Sequence, residues 1–138
     1  MNNPAPAVAG AIARKPLKRR PTAMTDDDET QRTVRVRELN DAFRQAPQSR
    51  GKLCLTRSIA SLPLNAQLAI IRRVMTFDAF TADNDPYEEH NFGAFEFSDQ
   101  KMFWKIDYYD RACEFGSENP ADPAQTTRVL TIMLASEY

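Results

Sequence analysis

At 138 residues the chain has room for one domain at most. Cys54 and Cys113 lack CxxC spacing and are accompanied by a single histidine, which excludes a disulfide framework and an ordinary zinc knuckle and points to a reducing, cytoplasmic setting. The net charge of -1 conceals a division: residues 1–73 carry 14 Lys and Arg against 6 Asp and Glu, while residues 74–138 carry 4 against 13. Each part therefore presents its own field, and the acidic one disfavours a nucleic-acid site there.

Residues 1–23 hold four prolines, six alanines, five basic residues and no acid. Such a segment cannot bury enough apolar surface to offset its ordering entropy, so a disordered basic tail is expected, followed by a single domain over 24–138. The tail's charges follow a short apolar run, the wrong order for a secretory signal, and no apolar stretch in the chain is long enough to span a membrane. Arg14, Lys15, Lys18, Arg19 and Arg20 are the one place where nucleic acid is a plausible contact.

Thr25 ahead of Asp26, Asp27 and Asp28 predicts a helix start, with a hydroxyl to cap and acids over the positive end of the dipole. The helix is expected over 26–46, stopping at Pro47, with Val36, Leu39, Phe43 and Ala46 as its apolar stripe and Arg32, Arg35 and Arg37 off it. A turn over 48–51 precedes a short strand near 52–58, where Leu53 and Leu55 share a face. Pro63 opens a second helix, 63–76, with Leu64, Leu68, Ile71 and Met75 on the face expected in the core.

From Phe77 to Gly116 the chain concentrates its aromatics, its acids and its one histidine. Thr81 to Asn91 has neither helical nor strand period and contains the breaker pair Asp85-Pro86, so it reads as a loop. Residues 92–98 and 101–109 read as a hairpin turning at Asp99-Gln100, which sets Phe97 against Met102, Phe95 against Trp104 and Gly93 against Ile106. A register one residue away would turn Lys101, Lys105 and Asp107 to the core. A second irregular segment follows over 110–121, and Asp122, Pro123 and Gln125 then mark a helix start. The last helix is expected over 123–137, apolar on more than one stripe and lying across the sheet. The expected architecture is α+β, a small antiparallel sheet built on the central hairpin with a third strand and about three helices.

Asp83, Asp85, Glu88, Glu89 and His90 crowd one loop, with Asp107 and Asp110 at the hairpin end. The bland reading is an Asx-rich loop that satisfies its own backbone and leaves its acids in water. A second reading makes those seven residues one acidic surface for a partner with a basic face, without any cofactor. A third is a divalent-metal hydrolase or nuclease, with Asp85, Glu89 and His90 holding Mg²⁺ or Mn²⁺ and His90 or Glu89 as the catalytic base. An EF-hand is excluded, since Tyr87 takes a ligand place and Glu88 the place of the required glycine. There is no GxSxG, GxGxxG or GxxxxGK[ST] pattern, so serine hydrolase and nucleotide-dependent chemistry are disfavoured. Trp104, Tyr108 and Tyr109 are interleaved with Asp107 and Asp110, a poor arrangement for stacking bases.

The runs FDAFTADNDPYEEHNFGAF, FWKIDYYD and FGSENPADPAQTTRVLTIMLASEY resemble a family of small bacterial proteins of unknown function, found mostly in alphaproteobacteria and often on plasmids and integrative elements. The likeness extends over about residues 28–138. The family brings no activity, fold or site to carry over. Its members usually have an aspartate after the histidine, where this chain has Asn91, and Asp-Gly at the hairpin turn, where this chain has Asp99-Gln100. The resemblance implies a mobile-element setting, in which a host-interaction, regulatory or antirestriction-like role is the expectation.

Overall fold

A computed structural model of the protein describes residues 25–138; the expected basic tail, 1–23, lies outside the described residues. The chain runs through helices α1 (Asp26–Gln45) and α2 (Pro47–Arg50), strand β1 (Lys52–Leu55), and helices α3 (Arg57–Ala60) and α4 (Leu64–Met75). Strands β2 (Phe92–Phe97), β3 (Gln100–Tyr109) and β4 (Thr127–Leu134) follow, with single 3₁₀ turns at Pro123–Gln125 and Ala135–Glu137. The fold is α+β, and the four strands form one open sheet in the order β1-β4-β3-β2. It is mixed: β1 runs parallel to β4, so the expectation of an antiparallel sheet holds for three strands of the four.

The start of α1 follows its local chemistry. Thr25 Oγ1 accepts from the Asp28 amide at 3.1 Å, and Asp28 Oδ2 accepts from the Thr25 amide at 3.4 Å, closing a capping box over an acidic first turn. Its buried face is Val36, Asn40, Phe43 and Arg44, so two polar residues sit where an apolar stripe was expected to continue. Strand β1 stops at Leu55, short of the expected 58, because Arg57 and Ser58 already belong to α3. Helix α4 is rotated from its expected setting: it buries Ile70 and Val74, while Leu64 and Leu68 face solvent.

The hairpin pairs Phe97 with Gln100, Phe95 with Met102 and Gly93 with Trp104, turning at Ser98-Asp99 rather than Asp99-Gln100. Ser98 and Asp99 both have positive φ, 51° and 63°, as a two-residue type I′ turn requires, and aspartate accepts that region more readily than glutamine. The register differs from the expected one by two residues, and an even slip preserves which face points inward. Phe95, Met102, Trp104 and Ile106 thus enter the core as expected, with Leu130 and Ile132 of β4 and with Phe43, Ile59, Ile70 and Val74 from the helices.

The expected helix over 123–137 is not formed. Its start signal operates for one turn only: Asp122 Oδ1 accepts from the Ala124 amide at 2.9 Å and Oδ2 from the Gln125 side chain at 2.7 Å. Residues 127–134, TRVLTIML, then extend as β4, the strand flanked by β1 and β3. The β-branched Thr127, Val129, Thr131 and Ile132 fit a pleated surface better than a helix. An apolar run with no single stripe is also what a strand with both faces covered looks like, which is why its periodicity resembled that of a buried helix.

Candidate functional site

Two irregular segments, Phe77–Asn91 and Asp110–Asp122, converge on one buried polar cluster formed by α1, β3 and β4. Arg128, on the core face of β4, donates through Nε to Asn40 Oδ1 at 2.6 Å and through Nη2 to the Pro120 carbonyl at 2.6 Å, so it grips α1 and the second segment together. Asn40 is wholly buried, and its Nδ2 donates to the Glu89 carbonyl at 2.9 Å and to Tyr108 Oη at 2.8 Å. The Tyr108 hydroxyl donates to Glu89 Oε1 at 2.7 Å, and the Arg128 guanidinium lies 5.1 Å from the Tyr108 ring centre. Each polar group is thus answered by another, which is what makes burying a guanidinium tolerable.

The electrostatics follow from that enclosure. Burial, and then the adjacent Glu89 carboxylate, push the Tyr108 phenol well above its ordinary pKa of 10.0. Tyr109 is pushed up to about 12, by burial first and then by Asp107. Burial draws the Arg128 pKa down, opposed by Tyr108 and Glu89. For phenols with raised folded-state pKa values the linked stability is intact below pH 10 and is lost as pH rises through the folded values. Alkaline titration is therefore expected to weaken the fold from about pH 10 upward. The Tyr108→Phe variant, besides losing about 1–2 kcal/mol at neutral pH with its hydroxyl contacts, should show a shallower alkaline decline. Circular dichroism melts between neutral and alkaline pH would test this, and a steeper decline in the variant would contradict the assignment.

A second set of contacts ties the first loop to α1. Asp85, buried, takes the Glu89 and His90 amides on Oδ1, both at 3.1 Å, while its own amide donates to the Thr81 carbonyl at 2.8 Å. His90 Nδ1 lies 2.9 Å from Asp41 Oδ1, and Nε2 lies 3.6 Å from Asp85 Oδ2. The imidazole stacks on Phe80 at 3.7 Å between centroids, the planes 4° apart. Arg44 completes the seam, donating to Asp41 Oδ1 at 3.0 Å and to the Phe77 carbonyl at 3.2 Å. Arg37 donates to the Glu88 carbonyl at 2.9 Å. Glu88 and His90 hold φ of 59° and 56°, and Cys113 in the second segment 58°. Non-glycine residues in the left-handed region persist where surrounding contacts over-determine them, and these contacts do so for the first loop.

The seven residues expected on one acidic surface are therefore divided among different environments. Asp83 and Glu88 are exposed, Asp85 is buried, and Glu89 and His90 are half-buried in the contacts above. Asp107 lies on the opposite face of the sheet, paired with Lys105 at 2.9 Å, and Asp110 Oδ1 accepts from the Glu114 amide at 3.0 Å. Asp85, Glu89 and His90 fit a divalent cation poorly, since their inward-facing atoms already bond to amides, to the Tyr108 hydroxyl and to Asp41. Among the described residues no three His, Cys, Asp or Glu are grouped so as to hold a metal ion. Both His90 nitrogens face carboxylates, leaving neither directed at a reacting group.

Asn40, Asp41, Arg44 and Arg128 were absent from the sequence-based candidates. Asn40 and Arg44 had a signal: they stand at i+4 and i+8 from Val36, on the helix face bound for the core, where a polar side chain requires a partner. The second segment also borders a shallow recess of about 470 Å³, lined by Asp110, Arg111, Phe115, Gly116, Glu118, Ala124 and Gln125. Tyr87 and Phe115, one on each segment, are 75% and 71% exposed, unusual for aromatic side chains. Both cysteines are free, and among the described residues no helix is long and apolar enough to cross a membrane.

Comparison with curated proteins and with solved structures found no match. The family model of the DUF3768 proteins of unknown function matches residues 55–137, which take in both irregular segments and β2, β3 and β4 but leave out α1 with Asn40 and Asp41. That match covers more than half of the chain, and the protein belongs to the DUF3768 family.

Proposed function

We propose that the protein is a non-enzymatic binding module that engages a cationic protein partner through the solvent-facing side chains of its two anchored segments. The observation that carries this reading is the division of labour within the first loop. Its backbone is held by Asn40, Asp85 and Arg37, while Asp83, Tyr87 and Glu88 are left in solvent. A loop ordered before contact loses little entropy on binding, and exposed aromatics flanked by carboxylates suit a basic protein surface. Phe115, Glu114 and Glu118 on the second segment extend the same chemistry. The proposed setting is the cytoplasm of a bacterium, with a host or self-encoded target and a regulatory or antirestriction-like role on a mobile element. No cofactor is needed for it.

The test is capture by the immobilised full-length protein from a bacterial lysate, compared with the Asp83→Lys, Glu88→Lys double variant. A basic protein retained at low salt, released as salt rises, unaffected by chelator and lost by the variant is the expected result. Both substitutions are at exposed positions, so the variant should melt with the parent. Retention that survives the charge reversals would overturn the reading. So would a rise in melting temperature with Mg²⁺ or Mn²⁺ that disappears in an Asp85→Ala, His90→Ala variant, because that result belongs to a metal-dependent hydrolase.

A further inference from the structure

The apolar stripe most legible in the second helix is the one the fold leaves uncovered. Leu64, Leu68, Ile71 and Met75 stand at i, i+4, i+7 and i+11, a spacing that ordinarily marks a buried face. The core instead takes Ile70 and Val74 of α4, leaving Ile71 and Met75 half-buried and Leu64 and Leu68 exposed at 68% and 57%. A lone exposed leucine needs no explanation. Two leucines one turn apart, continuous with two half-covered apolar residues, form a strip about 16 Å long at 1.5 Å per residue.

In sequence the charges flanking this strip are of one sign, although Glu137 reaches Thr56 beside α3 and accepts from its hydroxyl at 2.8 Å. No Asp or Glu occurs from Ala42 to Phe77, and the charged residues there are Arg44, Arg50, Lys52, Arg57, Arg72 and Arg73. Arg44 is buried, and Arg73 turns back to the Glu96 carbonyl at 3.1 Å, lying 5.1 Å from the Phe95 ring centre. Arg72, one turn beyond Leu68 on α4, is exposed, as is Arg57 on the neighbouring α3. Neither is paired with a carboxylate among the described residues. Gln67 ties the start of α4 to the end of α3, donating to the Ala60 and Leu62 carbonyls at 2.9 and 2.7 Å.

We infer that the Leu64–Met75 strip of α4 is a docking site for an acidic amphipathic helix of a partner protein. The occupant must supply apolar side chains at helical spacing for the leucines and carboxylates for Arg57 and Arg72. A second copy joined through the same strip would bring the exposed arginines of both copies to one junction, a like-charge arrangement that disfavours it. A phosphate-bearing partner would satisfy the arginines and leave the leucines in water. The strip spans about three helical turns, which sets the length of the occupant and places the contact among small, transient interfaces. This inference is independent of the acidic loops and their proposed partner.

The probe is a labelled synthetic amphipathic peptide of about five turns, with leucine at i, i+3, i+4 and i+7 on one face and glutamate on the other, alongside a twin with lysine for glutamate. The full-length protein is compared with Leu64→Ser, Leu68→Ser and with Arg57→Glu, Arg72→Glu, all at exposed positions. We expect the acidic peptide to bind in roughly the micromolar range, more weakly as salt rises, and to slow amide exchange along α4 of the parent protein. Each double variant should lose roughly tenfold or more in affinity, and the lysine twin should fail to bind. Equal binding of both peptides, or undiminished binding by the leucine variant, would overturn the assignment. So would dimers of the parent that vanish in the leucine variant, or leucine-dependent adsorption to phosphatidylglycerol vesicles without peptide binding, since each names a different occupant.

Discussion

Asn40→Ala is expected to be among the most damaging single substitutions in this chain, at about 3–5 kcal/mol. The side chain is small, and the loss comes from what it leaves behind. Arg128 Nε loses its acceptor, the Glu89 carbonyl and Tyr108 Oη lose a donor, and the guanidinium stays behind in a buried position. For a domain of this size the melting temperature should fall by on the order of 10–20 °C. The chemistry can be separated from the lost volume by a cycle with Arg128→Met. Removing both partners takes away the buried charge together with its acceptor, so the double variant should be more stable than the sum of the singles by about 1.5 kcal/mol or more. Strict additivity, or a cost below about 1 kcal/mol for Asn40→Ala, would mean that the cluster is wetter than its geometry indicates.

The second large effect centres on Trp104, wholly buried and facing Gly93 across the β2–β3 ladder. Phe77 and Phe80 meet the indole edge to face, with centroids 5.4 and 6.1 Å away, and Arg44 lies 5.2 Å from the ring centre. Trp104→Ala is expected to cost about 3–5 kcal/mol, the range for emptying an aromatic site in a core. Trp104→Phe should cost far less than that, because the indole Nε1 has no hydrogen-bond partner among the described residues and its removal relieves a buried donor. Gly93 shows the same site from the opposite strand. A Cβ placed there would stand 2.6 Å from Trp104 Cε2 and 2.8 Å from Phe77 Cζ, so Gly93→Ala must displace a ring and is expected to cost at least about 1–3 kcal/mol. Urea denaturation would rank the three, followed by circular dichroism for the tryptophan variants and by the single tryptophan's fluorescence for Gly93→Ala. Equal costs for alanine and phenylalanine at 104 would contradict the packing account.

The proposed binding reading and the buried cluster make different demands on the same loop. Asp83→Lys and Glu88→Lys alter what the loop shows to a partner, and Asn40→Ala alters what holds it in place. Loss of binding with unchanged melting, set against loss of both, separates contact from support.

What the sequence determined by itself lies within a few residues' reach. The Thr25–Asp28 box opens α1, Pro86 and the Asx residues around it keep residues 81–91 out of regular structure, and alternation over 93–97 and 102–106 turns the correct face of the hairpin inward even though its turn lies one residue earlier than expected. These outcomes depend on neighbours in the chain, and the parity of a strand survives an even slip. Tertiary structure alone decided the rest. Asp122, Pro123 and Gln125 began a helical turn as their chemistry requires, yet the following eight residues became β4 because β1 and β3 offered ladders on both sides. The rotation of α4 was likewise set by which side of it met the sheet, against the choice its leucines would make in isolation. The polar cluster joins Asn40 to Arg128 across 88 residues and to Tyr108 across 68, distances at which no local pattern specifies a partner. A buried polar group announces only that it needs one, and the fold decides which residue answers.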